Sequence, residues 1–99
     1  MPLNYLIFDA SDDGEGTGTW DAMASVRAAD VPAVMAEVKD VLTWAELHSP
    51  GPRGPLDEGG NWDADQQLQT DGEWTTVTLT ITGPWAWGEA LVARFSSGH

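Results

Sequence analysis

Apolar residues recur along this chain with two different periods, and the places where the period changes mark out its elements. The run N-Y-L-I-F-D-A at residues 4–10 is rich in aromatic and branched side chains, which favours a strand. Tyr5 and Ile7 fall on one face, Leu6 and Phe8 on the other. A strand apolar on both faces is expected to be central, or covered on both sides. In the run G-T-W-D-A-M-A-S-V-R-A, Trp20, Ala22, Ala24 and Val26 alternate with Asp21, Met23, Ser25 and Arg27. That is a period of two, so a second strand, joined to the first by a hairpin loop longer than the tight two-residue kind.

From Ala29 to Ser49 the period becomes helical. Val31, Val34, Met35, Val38, Val41, Leu42 and Ala45 recur at steps of three and four, while Glu37, Lys39, Asp40 and Glu46 fall off that stripe. Asp30 suits the N-cap and Pro32 the first turn. The prolines and glycines of S-P-G-P-R-G-P then stop the helix. After a loop over residues 49–61, N-W-D-A-D-Q-Q-L-Q alternates weakly, with Trp62, Ala64 and Leu68 on one register. T-D-G-E signals a tight turn centred on Asp71 and Gly72. In W-T-T-V-T-L-T-I-T, Val77, Leu79 and Ile81 face one way and Thr76, Thr78, Thr80 and Thr82 the other. A last helix begins at Pro84 and carries Trp87, Leu91 and Phe95 at steps of four, with Gly88 as its weak point.

The order ββαββα implies an α+β, two-layer domain. Its expected form is one four-stranded, mostly antiparallel sheet with two helices on one face. Residues 1–95 form a single small domain, and 96–99 a tail. The two halves echo each other in D-G-E-G-T against D-G-E-W-T, and in W-D-A twice. Such echoes are too short to establish duplication. The threonines of the last strand, with Trp74, are expected to line the face that the helices leave open.

Charge changes the picture more than size does. Four bases against sixteen acids give a net charge of −12. Phosphate backbones and anionic membranes are bound through clustered Lys and Arg, so neither nucleic acid nor a membrane is an expected partner. Cations and basic proteins are. Residues 9–21 hold five acids and residues 57–73 hold six, with no base in either window. With no cysteine, disulfide and thiolate chemistry are absent, as suits a reducing compartment. M-P-L-N-Y-L-I-F-D-A has no basic segment and only a short apolar run, unlike a signal peptide, so a cytoplasmic protein is expected.

D-A-S-D-D-G-E-G-T-G-T-W partly fits a calcium loop. Asp9, Ser11 and Asp13 take its first, third and fifth positions, Gly14 its sixth, and Glu15 its seventh. The twelfth position, which needs a bidentate Glu, is Trp20, and the flanks read as strands rather than helices. The same residue types make an ordinary hairpin loop, because Gly supplies positive φ and Asp or Ser bonds the local backbone. A loop without a cofactor is therefore the expected reading, with calcium at Asp9, Ser11, Asp13 and Glu15 as the alternative.

Enzyme chemistry has little support. The histidines are His48 near a helix end, suited to its dipole, and His99 in the tail. No serine sits in a nucleophile elbow and no lysine follows a phosphate loop. A non-catalytic binding module is the best reading. Its surface would be built from Asp12, Asp13, Glu15, Asp57, Glu58, Asp63 and Asp65, completed by Trp62, Trp74 or Trp85. Its partner would be a basic protein, bound by a monomer or a homodimer. A small enzyme or ligand carrier with a closed pocket is the third reading.

Overall fold

The computed structural model describes residues 5–49, 51–54 and 58–95. The elements are β1 (Ile7–Asp12), β2 (Thr17–Arg27), α1 (Val31–Leu47), β3 (Asp63–Asp71), β4 (Trp74–Pro84) and α2 (Trp85–Phe95). The strands form one antiparallel sheet in the spatial order β1-β2-β4-β3. Both helices lie against one face and contact the two central strands. The chain is thus a two-layer α+β domain of order ββαββα. The expected tail and Asp57 lie outside the described residues.

The alternation of β2 and β4 builds the core. Trp20, Ala22, Ala24 and Val26 meet Val77, Leu79 and Ile81 on the covered face. Val34, Val38, Val41 and Ala45 of α1 and Trp87, Leu91 and Phe95 of α2 close over them. Burying each of the valine, leucine, isoleucine and phenylalanine side chains contributes about 1.5–3 kcal/mol, which is what holds so small a domain together. Gly88 is explained by that packing. The ring of Trp20 lies where a side chain on Gly88 would project, so close approach outweighs helix propensity at this position. Trp20 packs on Trp85 with ring centroids 5.3 Å apart, and Trp62 on Trp87 at 5.4 Å. The rings of Trp20 and Trp85 crowd Gly18 and the ring of Trp87 crowds its pair Gly83, where a Cβ would clash with them. The indole N–H groups of Trp20 and Trp87 are buried there without a hydrogen-bond partner among the described residues.

Four local expectations are corrected. β1 is an edge strand, not a central one, and Ile7 is 78% exposed. Its apolar outer face is left open because nothing packs on that side of the sheet among the described residues. Glu37, off the apolar stripe, is buried: its Oε1 accepts the N–H groups of Tyr5 and Leu6, each at 3.1 Å. A carboxylate that closes the free backbone entering β1 offsets its own desolvation. Asp30 makes no side-chain cap, because a 3-10 turn at Ala28–Asp30 already holds it in a helical conformation. The β3–β4 turn is centred one residue later than expected, on Gly72 and Glu73, because Asp71 pairs with Trp74. Gly72 has φ +64°, and no non-glycine residue has positive φ among those described. Glycine first is the arrangement that a two-residue turn of this kind needs.

Candidate functional site

The uncovered face of the sheet gathers the polar registers of all four strands. Cross-strand pairing sets them in rows. Ser11, Thr19, Thr82 and Asp63 form one row, and Asp9, Asp21, Thr80 and Asp65 the next. Ile7, Met23, Thr78 and Gln67 follow, then Ser25, Thr76 and Gln69, and finally Arg27, Trp74 and Asp71. The face is therefore graded. One end is acidic, the middle of its β1 side is apolar, and the far end carries an arginine and a tryptophan.

The acidic end is held by hydroxyls more than by bases. Asp9 stands directly opposite Asp21. Thr80 Oγ1 donates to Asp21 Oδ1 at 2.8 Å; two rows away, toward the far end, the hydroxyls of Ser25 and Thr76 lie 2.7 Å apart. Arg53 is the base beside this end. Its Nε lies 3.6 Å from Asp63, and its Nη2 donates to the carbonyl of Ala64 at 3.0 Å. At the far end Arg27 pairs with Glu73 at 3.3 Å and lies over the Trp74 ring, 5.0 Å from its centroid. Both Arg27 and Glu73 are well exposed, so that pair contributes little to stability.

The β1–β2 loop stands at the acidic end. Asp12 Oδ1 accepts the N–H of Gly14 at 2.8 Å. Asp13 Oδ1 accepts the N–H of Glu15 at 2.7 Å and of Thr17 at 3.1 Å. The loop is thus built by short acid-to-backbone bonds of the kind that shape turns. Asp9 and Ser11 project from β1 onto the open face, away from that arrangement. Asp9, Asp13 and Glu15 do not form a group able to hold a metal ion, and no other three acidic or histidine side chains do so among the described residues.

The fold brings the β1–β2 loop and the residues just before β3 to one end, while Asp71 and Glu73 lie at the other. Gly16 and Thr17 of the first loop line a shallow depression with Gly60 and Asn61 of the second. Asp12, Asp13, Glu15, Glu58 and Asp65 are exposed around it or on the adjoining face, and Asp63 is partly so. The tryptophans divide. Trp74 is 48% exposed on the open face, as its register predicts. Trp62 is only 1% exposed, and its ring belongs to the core rather than to any binding surface. Trp85 is half-buried against Trp20. One apolar face of the first strand was expected to reach the open face, and it is the face of Ile7; Met23, which stands beside it and is 56% exposed, was not expected there. The signal for Met23 was present in its place among the polar residues of β2. His48 ends α1, with Nδ1 3.0 Å from the Trp44 carbonyl and its ring stacked on Trp44. No helix among the described residues is long and apolar enough to cross a membrane. The chain matches no protein-family model, no curated protein and no solved structure.

Proposed function

We propose that this chain is a non-catalytic binding module whose acidic sheet end and neighbouring loops receive a basic macromolecule. The observation that carries this reading is the row Asp9, Asp21, Thr80 and Asp65. Like charges set directly opposite one another weaken a sheet. These carboxylates add nothing to the core, and no base stands in their row. A positive partner relieves that repulsion, and Ile7, Met23 and Trp74 on the same face supply apolar contact area.

The test compares two variants with the same change in net charge. One is Asp9→Asn, Asp21→Asn and Asp65→Asn on the open face. The other is Asp30→Asn, Asp40→Asn and Glu89→Gln, all exposed and away from that face. Binding of fluorescent oligolysine is titrated at low and at physiological salt. The face variant is expected to bind roughly tenfold more weakly, and the other close to wild type. Equal losses in both would reduce the effect to net charge and sink the reading.

A further inference from the structure

The outer edge of β3 is open to a further strand, and its only guard is negative charge. Asp63–Asp71 pairs with β4 in unbroken register over its full nine residues, so no bulge bends it away. It contains no lysine and no proline, the residues that most often protect an edge. β1, the other edge, is shorter at six residues, and Glu37 already takes the backbone N–H groups just before it.

Two bonds fix which groups of β3 face outward. The carbonyl of Trp62 accepts the N–H of Gly54 at 2.9 Å, and the carbonyl of Ala64 accepts from Arg53 at 3.0 Å. Both carbonyls therefore point away from β4. By the two-residue period of an antiparallel ladder, so do the main-chain groups of Gln66, Leu68 and Thr70. No described residue hydrogen-bonds to them. The chain itself uses the start of this edge, where Arg53 and Trp62 form a parallel bridge. The rest of the edge continues the same row of donors and acceptors.

The two sides of the edge differ in chemistry. Asp63, Asp65, Gln67, Gln69 and Asp71 lie on the open face. On the helix side Leu68 is 51% exposed, next to a groove between β3 and α1 lined by Met35, Val38, Leu42 and Gln66 together with the polar Lys39, Thr43 and Glu46. We infer that this edge accepts an extended segment of a partner protein in which basic and apolar residues alternate. The segment adds a fifth strand. Its basic side chains meet Asp65 and Asp71, and its apolar side chains enter the groove beside Leu68. Main-chain bonds supply affinity in this mode and the alternate side chains supply choice. Charge decides the occupant. A second copy of β3 would set three aspartates against three with no base to answer them. This inference rests on the basic-partner reading above.

The probe is a synthetic nine-residue peptide alternating lysine and valine, compared with a scrambled peptide of the same composition. Amide hydrogen exchange is read residue by residue with and without the peptide. Exchange at Gln66, Leu68 and Thr70 is expected to slow, with little change at Gln67 and Gln69, whose amides already pair with β4. Leu68→Pro removes an outward donor without touching the β4 ladder. Leu68→Lys places a guarding charge at an exposed position and keeps the fold if the proline does not. Each is expected to weaken the alternating peptide about tenfold, the scale of one or two main-chain bonds. The scrambled peptide is expected to bind more weakly than the alternating one. Equal binding of both peptides, unprotected amides and no effect of either variant would overturn the edge inference while leaving the acidic-face reading intact. Failure of both peptides to bind at low salt would overturn the two together. Protection of the same amides by raising the protein concentration alone would give the edge to a second copy and reject a basic partner there.

Discussion

The two faces of the sheet are made by the same strands and obey opposite rules. On the covered face the positions of β2 and β4 are apolar or small except for the buried Thr75, and the helices close over most of them. On the open face the intervening positions are mostly Asp, Ser and Thr, with Met23, Arg27 and Trp74 among them. The covered face is consistent at every level, from period to packing. The open face contains an arrangement that works against stability, Asp9 opposite Asp21, and an exposed apolar pair beside it. Stability accounts for the covered face but not for the Asp9–Asp21 pairing or for the exposed Ile7 and Met23.

The contrast is sharpest between neighbours in one strand. Leu79→Ala on the covered face is expected to destabilise by about 2–5 kcal/mol, because the residue is fully buried and its neighbours cannot collapse fully into the space. Thr78→Val, one residue earlier on the open face, is expected to change stability by less than about 0.5 kcal/mol. Urea unfolding of both variants checks this, and similar losses would erase the distinction between the faces. Glu37→Ala comes next. It leaves the N–H groups of Tyr5 and Leu6 without their acceptor and is expected to cost about 2–3 kcal/mol. Glu37→Gln keeps a carbonyl acceptor, so a loss as large as that of alanine would contradict the assigned role. The smallest effect runs the other way. Asp9→Asn is expected to stabilise by a few tenths of a kcal/mol, and the gain should shrink as salt is added. Thermal melts at two ionic strengths would read it, and a destabilised variant would show that the pair is not repulsive.

Period made most of this fold legible. The alternations of β2 and β4 and the stripe of α1 specify which side chains are inside, and the structure places them there. What depends on neighbours in space was not legible. Tyr5 to Phe8 reads as a doubly apolar strand whether or not a layer covers it. Glu37 lies off the stripe, yet the backbone it closes is distant in sequence, at Tyr5 and Leu6. Trp62 stands at an element end, where exposure is a fair guess, but Trp87 and Arg53 enclose it. The two D-G-E triplets make the limit plain. After Asp13, Gly16 adopts φ +92° and the chain makes a wide loop closed by aspartate-to-backbone bonds. After Asp71 the corresponding residue is Trp74, which pairs at once with Asp71 and Arg27, and the turn is tight. The triplet alone does not choose between the two turns. At the candidate site, sequence alone supplied the acids and Trp74, while the row that aligns Asp9, Asp21 and Asp65 required the strand order.

The seam between β2 and β4 also governs how the molecule is assembled. Each outer strand pairs with a partner adjacent in sequence, so both hairpins form locally. Between Arg27 and Trp74, the closest pair across the seam in sequence, lie all of α1, a long loop and β3. The entropy of closing that loop is lost before the central contacts repay it, so docking of the two hairpins is the slow event in folding. Until it happens, the apolar side of each hairpin is exposed and open to wrong encounters. A chain carrying −12 repels its own copies throughout that interval. The same acidity that shapes the finished surface thus keeps half-assembled chains apart while the seam closes.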